Sequence, residues 1–306
     1  MASTLIFGAG GRLGGAVARH LRYLSPGTRL RLATSRAEAA DALRRDYPGH
    51  EVILADFMDA ASMRACFAGA DSAFLVTPNF LDEERAMANV VAAAGPGLRQ
   101  MIRIVGDPPG ISLAKVPASL SGPGPATQHL LARQALDKGG APVIYFNLAA
   151  ALMDNLFANA PAVSRLDLLA QPERMHGFVD SGEVGEIAAR ILLSSDARHL
   201  GQTYDLNNGQ DLLPWSGVAA MMSSVFLRDI RHDGSDAAFL EHLGPLYNRK
   251  MGFDGAAAYF LDYFRKEAKY DLAWRRTDFA ETVLGRKPKT LRAWLEQHAA
   301  SFAPQP

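Results

Sequence analysis

The sequence contains few of the residues and patterns that identify metal-binding or disulfide-bonded proteins. Cys66 is the only cysteine among 306 residues, which excludes an intramolecular disulfide and a thiolate metal cluster. In the segment "MRACFAGA", Cys66 is expected to be a small core residue. The eight histidines are scattered and form no HxH or HxxxH pair, so the sequence predicts no metal site.

The chain also lacks an excess of charge of either sign and a long apolar run. Lys and Arg together number 32, as do Asp and Glu, so no overall field favours binding to nucleic acid or to an anionic membrane. No apolar run approaches the roughly 18 residues of a membrane span, and the chain begins without the basic and apolar regions of a signal peptide. We therefore expect a cytoplasmic protein, monomeric or homodimeric, with a small-molecule substrate.

What is present is a regular alternation of short apolar runs and amphipathic helical patterns. The alternation predicts βαβ units and a doubly wound parallel sheet of the Rossmann type. The predicted strands are "TLIF" (4–7), "LRLAT" (30–34), "EVILAD" (51–56), "SAFLVT" (72–77), "MIRIV" (101–105) and "PVIYFN" (142–147), with one further strand in 201–209 after the helix "SGEVGEIAARILLSS".

The second half of the chain has a different pattern. After residue 209 the sequence is mostly helical, rich in Met and aromatic residues, and without a strand pattern. We predict a dinucleotide-binding domain over 1–150, to which 176–208 adds a helix and a strand, and a smaller substrate-side domain formed by 151–175 and 209–306. The Pro- and Gly-rich stretch 107–126 is predicted to be a long loop at the carboxyl end of the fifth strand, where ligands bind in this architecture.

The segment "TLIFGAGGRLGG" carries the clearest functional pattern. Gly8, Gly11 and Gly14 follow a strand and open a helix, the context in which such glycines indicate a dinucleotide site. Gly8 permits the tight turn, Gly11 lets the backbone approach the pyrophosphate, and Gly14 lets the helix pack closely on the sheet. The helix N-terminus then faces the phosphate charge.

The end of the second strand indicates which dinucleotide binds. NAD sites commonly place an acid there for the ribose 2′-hydroxyl, whereas this strand ends "ATSR". Thr34 and Ser35 can donate hydroxyl groups and Arg36 can bind a 2′-phosphate, so NADP(H) is the predicted cofactor. Arg12, in the glycine turn, is a candidate for a second contact to the same phosphate.

Several motifs together resemble one known family. The GxxGxxG turn, "ADFMD" after the third strand, "AFLVTP" at the fourth, "VIYFNLAALMDNLF" at the sixth and the terminal "DFAETVLGRKPKTLRAWLEQH" are similar to the NmrA-like branch of the atypical short-chain dehydrogenase/reductases. The resemblance implies an NADP-binding Rossmann fold. Members of this family include quinone and aromatic-substrate reductases and also redox-sensing regulators without turnover.

The resemblance also implies positions for the cofactor site. Asp56 and Phe57 should flank the adenine, and Thr77, Pro78 and Asn79 should line the ribose and nicotinamide side. The nicotinamide floor should be formed by Phe146, Asn147 and Leu148, where the family usually has Arg at the position of Asn147. The predicted cofactor contacts further include Leu13 and Val105.

The catalytic residues are predicted from the absence of the usual Tyr and Lys motif of short-chain dehydrogenase/reductases. The sequence contains no YxxxK, no GxSxG and no GxxxxGK[ST]. In related reductases a Lys lies on the helix after the long loop, and the matching position here is His129, followed one turn later by Arg133. Residues at i and i+4 share a helix face, so His129 and Arg133 are the candidate catalytic residues, with His129 also contacting the cofactor.

The sequence therefore predicts an NADPH-dependent reductase of a small, apolar, aromatic or quinone-like carbonyl or imine compound. The alternatives are a regulator that binds NADP without turnover and a family member recruited for non-redox chemistry such as cyclisation. A Met and aromatic cluster suggests an apolar substrate pocket, although such stripes are more often core. The predicted substrate residues are Phe80, Asp107, Met153, Phe157 and Tyr259.

Overall fold

A seven-stranded parallel sheet forms the centre of the protein. The computed structural model describes residues 2–108, 110–148, 150–269 and 276–304. Its strands are β1 (Ser3–Phe7), β2 (Arg29–Thr34), β3 (Glu51–Leu54), β4 (Ser72–Leu75), β5 (Gln100–Val105), β6 (Val143–Asn147), β7 (Ala151–Leu152), β8 (Leu168–Ala170), β9 (Met175–Val179), β10 (Thr203–Asp205), β11 (Leu212–Pro214) and β12 (Arg231–Asp233). The strand order of the central sheet, β10-β6-β5-β4-β1-β2-β3, is that of a Rossmann fold.

Helices cover both faces of this sheet and form a second group after residue 209. They are α1 (Arg12–Leu24), α2 (Ala37–Asp46), α3 (Ala60–Phe67), α4 (Glu83–Ala93), α5 (Pro125–Lys138), α6 (Ala160–Leu166), α7 (Ser181–Leu193), α8 (Trp215–Phe226), α9 (Asp236–His242), α10 (Gly244–Met251), α11 (Ala256–Lys269), α12 (Phe279–Leu284) and α13 (Leu291–Gln297). In the described part of the chain, none is long and apolar enough to cross a bilayer.

The seven predicted strands of the central sheet are confirmed. The inner strands β1, β4, β5 and β6 are buried on both faces, whereas the edge strands β3 and β10 are partly exposed. In β1, Leu5 and Phe7 belong to one core cluster and Ile6 to the other, as the alternation of side chains across a strand requires. Cys66 is fully buried in the same cluster as Leu5. Burial raises the pKa of its thiol to about 11, which agrees with the predicted core role and leaves the thiol protonated at neutral pH.

The part of the chain after β6 contains short strands that the sequence analysis missed. β11 pairs with β9, and β12 pairs with β8, so the prediction of no strand after residue 209 is wrong. β8, β11 and β12 have three residues each, too few to show a period of two. The predicted division into two domains stays a prediction.

The predicted long loop after β5 contains two short 3₁₀ turns, Leu113–Lys115 and Ala118–Leu120, before α5 begins. Ser119 Oγ donates to Asp262 Oδ2 of α11 at 2.7 Å. The loop is thereby connected to α11, and both lie beside the carboxyl end of β5.

Candidate functional site

The glycine turn has the geometry that the sequence predicts. Gly8 has φ +65°, and the amide of Gly11 donates to Gly8 O at 2.8 Å to close the turn. A Cβ on Gly14 would lie 2.4 Å from Gly8 O, so this glycine is needed for α1 to pack against the strand. Gly11 is exposed, and a Cβ there would meet only Gly8 O, at 3.1 Å. The space before the N-terminus of α1 is therefore open to a ligand.

Cationic and hydroxyl groups surround this opening. Ser35 and Arg36 are exposed, and Arg36 precedes α2 without a side-chain cap of its own. The guanidinium of Arg12 donates to Asn155 Oδ1 at 3.2 Å. Thr34 is buried, and its hydroxyl lies 3.4 Å from the amide of Arg36, so it shapes the turn. The side chain of Leu13 is buried in the core, so only its backbone amide, in the first turn of α1, is available to the cofactor.

The next two strand ends carry the residues predicted for the adenine and the ribose. Asp56 is exposed and accepts from the amide of Met58 at 2.8 Å, while the Phe57 ring stacks on Phe7 with centroids 4.7 Å apart. Pro78 and Asn79 are exposed after β4. These residues lie at the same sheet edge as the glycine turn because all of the strands are parallel.

Thr77 has internal hydrogen-bond partners, and its predicted contact with the cofactor through the hydroxyl is not supported. That hydroxyl donates to the Glu83 carboxylate and accepts from Arg103 Nη2 at 2.7 Å. Arg103 and Glu83 are each 1% exposed and form an ion pair at 2.5 Å. Burial lowers the pKa of Arg103 and raises that of Glu83. The sequence analysis missed Arg103, although a cation inside the apolar run "MIRIV" is a visible signal.

The residues predicted as the nicotinamide floor divide into two groups. Phe146 is fully buried in the core against Phe279, so its side chain cannot contact a ligand at the edge, which corrects that prediction. The Asn147 side chain also has hydrogen-bond partners within the protein. It accepts from the Asp107 amide at 2.8 Å and donates to Asp205 at 2.7 Å. Leu148 lies at the edge and lines a cavity there. Val105 is fully buried and adjoins the same cavity.

His129 lies beside the end of β5, as its predicted role requires. A Cβ on Gly106 would be 3.4 Å from the imidazole Nε2. Burial, Arg103 and Arg133 lower the pKa of His129 to about 3, so the imidazole is neutral at pH 7. Its Nδ1 is buried and has no hydrogen-bond partner. The predicted catalytic role of His129 therefore stays a prediction, with a neutral imidazole as the acting group.

Arg133 does not share the ligand space of His129. Its guanidinium donates to Thr203 at 2.9 Å and pairs with Asp107 at 3.3 Å, and it lies 3.9 Å above the Tyr145 ring. These contacts join α5 to β6, β10 and the loop after β5. These contacts indicate a positioning role for Arg133, and its predicted catalytic role stays a prediction.

Two connected cavities occupy the space between this edge and α11. The inner cavity, about 220 Å³, is lined by Ile104, Leu148, Pro125, His129, His176 and Tyr263, among others. The outer cavity, about 440 Å³, is lined by Asp107, Ile111, Lys115, Leu120, Pro125, Tyr263 and Lys266, among others. Both also include Gly106 and Glu267, so one ligand could extend through the two.

The predicted substrate residues lie in three different places. Asp107 lines the outer cavity. Phe80 and Tyr259 pack edge to face at 5.1 Å in the helical cluster of α9 to α11. Met153 is fully buried, and Phe157 packs on Trp294 at 4.9 Å. The predicted pocket role of Met153 and Phe157 is wrong because both belong to the core between α8 and α13.

The base of the inner cavity contains a buried charged cluster that the sequence analysis missed. Arg174 Nε pairs with Glu267 at 2.9 Å, and its guanidinium lies 3.8 Å above the Phe264 ring. Glu267 also accepts from the hydroxyl of Tyr263. Burial lowers the pKa of Arg174 and raises the pKa of Glu267. These residues are far apart in the chain, so no local pattern connects them.

Comparisons with known proteins agree with the fold and with the predicted family resemblance. The model of the NmrA-like family matches residues 2–99. An uncharacterised oxidoreductase from Bacillus subtilis is 29% identical over 137 residues, 43% of this chain and 43% of the relative. A (4-alkanoyl-5-oxo-2,5-dihydrofuran-3-yl)methyl phosphate reductase from Streptomyces griseus is 25% identical over 98% of this chain and 99% of its own.

Solved structures extend the similarity to the whole chain. An NADPH-dependent quinone oxidoreductase from Escherichia coli, complexed with NADPH, has a TM-score of 0.75 and 20% identity over 98% of this chain and 100% of its own. The Citrobacter triphenylmethane reductase complexed with NADP(H) has a TM-score of 0.76 and 19% identity over 97% and 99%. NmrA, a negative transcriptional regulator in complex with NADP, has a TM-score of 0.70 and 16% identity over 97% and 94%. Residues 2–99 thus carry the NmrA-like family signature, as the motifs predict, and the whole chain shares the Rossmann-type fold of these structures.

Proposed function

We propose that this protein is an NADP(H)-dependent oxidoreductase that acts on a small carbonyl or imine compound. The observation that carries the proposal is the continuous edge formed by the glycine turn, the exposed Arg36 and the cavity beside His129. The sequence relatives named as oxidoreductases and the solved reductases with NADPH or NADP(H) support it.

The glycine turn fits a dinucleotide. A side chain on Gly11 would stand in front of the α1 N-terminus, where unpaired amides and the helix dipole favour a phosphate group. Ser35 and Arg36 are exposed where a ribose 2′-phosphate is expected. Arg12 is near enough to this opening to contribute a second positive charge.

The residues around the inner cavity suit hydride transfer, which is the chemistry the nicotinamide supplies when bound. Gly106 has no side chain where the inner cavity meets the ends of β5 and β6, so a substrate ring in the cavity can approach a nicotinamide bound at that edge. His129, which is neutral at pH 7, can donate one N–H to an oxygen that gains negative charge during reduction.

A regulator that binds NADP without turnover is the second candidate, because NmrA has this fold and its structure contains NADP. The cavities favour the enzyme. A cofactor sensor requires the dinucleotide site alone, whereas this protein has a further 220 Å³ of space beside the end of β5.

Calorimetric titration with NADPH, followed by NADPH oxidation with a panel of quinones, ketones and imines, tests the proposal. We expect binding and turnover with at least one compound of the panel. Binding of NADPH without turnover by any of them would favour the regulator. If the folded protein bound neither NADPH nor NADH, the dinucleotide site itself would be wrong.

A further inference from the structure

His176 and His129 together form an unoccupied set of hydrogen-bonding groups in the inner cavity. His176 lies on β9 and is 8% exposed, and neither ring nitrogen has a hydrogen-bond partner. Its Nε2 is 3.8 Å from Glu267 Oε2, too far for a hydrogen bond. The buried Nδ1 of His129 is also without a partner. Such groups are rarely left unpaired in a native interior.

The neighbouring charged groups do not satisfy these imidazoles. Glu267 is engaged by Arg174 and by the hydroxyl of Tyr263. The positive charge of Arg174 and the negative charge of Glu267 offset each other within the cluster. Burial keeps both imidazoles uncharged, as their lowered pKa values indicate. The inner cavity therefore presents hydrogen-bonding groups without net charge.

The size and the remaining walls of the cavity limit the ligand further. Its volume is about 220 Å³, below the range of drug-sized sites, so it holds about one ring. Ile104 and Leu148 supply apolar contacts on the sheet side. Larger substituents would extend into the outer cavity through the shared boundary at Gly106 and Tyr263.

We propose that the inner cavity is a subsite for an uncharged, one-ring carbonyl compound whose oxygen accepts a hydrogen bond from His176. A neutral imidazole carries one N–H donor, and a ligand carbonyl satisfies it where no group of the protein does. His176 is then a specificity-determining residue. The proposal rests on the proposed function in one respect only, that this ligand is the substrate.

Fluorine NMR with two probes of nearly equal shape tests the hydrogen bond directly. The probes are para-fluoroacetophenone, which has the carbonyl, and para-fluorocumene, which replaces it by an isopropyl group. Titrations are made in the presence of NADP⁺, which supplies no hydride, and are repeated without it. In the wild type we expect the ketone to bind about tenfold more tightly than the hydrocarbon, as one net hydrogen bond gives.

Two variants attribute the difference to His176. In His176→Leu the ratio should fall to about one, because the hydrocarbon keeps its contacts while the ketone loses its donor. His176→Gln, which retains an N–H donor, should restore part of the ratio. Circular dichroism checks that both variants are folded. A ratio near one in the wild type would show that water satisfies the imidazoles, and an unchanged ratio in folded His176→Leu would remove His176 from the site. Either result overturns the proposal.

The same samples separate this proposal from the proposed function. NADPH oxidation is measured with para-fluoroacetophenone and with the wider panel. Selective ketone binding without any NADPH oxidation would refute the reductase function and leave the subsite standing. Turnover of other compounds with no ketone preference would refute the subsite and leave the function standing.

Discussion

At the scale of single residues, the surroundings of His129 decide its charge. Burial, together with the positive charges of Arg103 and Arg133, lowers its pKa from 6.5 to about 3. Between these two pH values the unfolded chain binds a proton that the folded chain does not. Above pH 6.5 this residue should therefore have no effect on the free energy of unfolding. Between pH 6.5 and about 3 it should lower that free energy by about 1.4 kcal/mol for each unit of decrease in pH.

Replacement of His129 by Gln removes that proton uptake. We expect the unfolding free energy of His129→Gln, measured by urea denaturation, to decline less steeply than that of the wild type between pH 6.5 and 4. At pH 7.5 to 8.5 the two proteins should show the same dependence on pH, which serves as the internal control. Equal slopes in the acid range would mean that the imidazole becomes protonated in the folded state.

A second residue-scale prediction concerns cofactor choice. Arg36 is exposed after β2, and a charge-assisted contact to a 2′-phosphate is worth about 1.5 to 3 kcal/mol. Arg36→Glu should therefore weaken NADPH binding by about tenfold to a hundredfold and leave NADH binding nearly unchanged. Arg44→Glu is a suitable control, because Arg44 is an exposed arginine later in α2 that pairs with Asp41. Calorimetry showing equal affinities for NADPH and NADH in the wild type would contradict the assignment.

Residue roles could be predicted from sequence only where a local pattern determines them. The glycines are explained by a single turn, and the exposed Arg36 by the end of one strand. The contacts of Thr77 and Asn147 were missed because their partners, Arg103 and Asp205, come from other strands. Arg174 and Glu267 are 93 residues apart, and no spacing rule relates them.

At the scale of elements, the turn between β1 and α1 and the first turn of α1 contain two glycines, Gly11 and Gly14, whose replacement should have different effects. Gly11→Val places its methyl groups at the open N-terminus of α1 and should abolish NADPH binding while leaving the circular dichroism spectrum near that of the wild type. Gly14→Val forces a Cβ to within 2.4 Å of Gly8 O and should destabilise the fold itself, with a lower melting temperature. Normal NADPH binding by folded Gly11→Val would mean that the turn has another purpose.

The elements that sequence predicts well are those with repeated burial patterns. The inner strands of the central sheet, such as β1 and β4, are buried on both faces and are visible in the sequence as short apolar runs. β8 and β12 are three-residue strands that pair across more than sixty positions, Leu168 with Arg231. Their existence depends on how the C-terminal helices pack, and not on any periodicity of their own.

At the scale of the whole molecule, one buried ion pair links two distant parts of the chain. Arg174 precedes β9, and Glu267 lies on α11, which covers the cavities. Glu267→Gln leaves the Arg174 charge buried without its counterion, which should lower the unfolding free energy by about 3 to 5 kcal/mol. Arg174→Met combined with Glu267→Met should recover most of that loss, since a buried pair can be replaced by apolar groups at little cost. Urea denaturation of the two variants provides the comparison.

If the double variant were as unstable as Glu267→Gln, the carboxylate would have a role beyond its pairing with Arg174. Its contact with Tyr263 is the first one to examine. Replacement of Tyr263 by Phe removes the hydroxyl alone and would separate the two contributions.

The arrangement of the two cavities also has a kinetic consequence. The residues that line the outer cavity include none from the glycine turn and none from the end of β2, so we expect the two ligands to reach the sheet edge by separate routes. Neither has to leave before the other can exchange. Initial rates measured at several fixed NADPH concentrations should give intersecting double-reciprocal lines, and product inhibition should show a random order of addition. Product inhibition that instead shows a compulsory order of addition would indicate that the two routes overlap in solution.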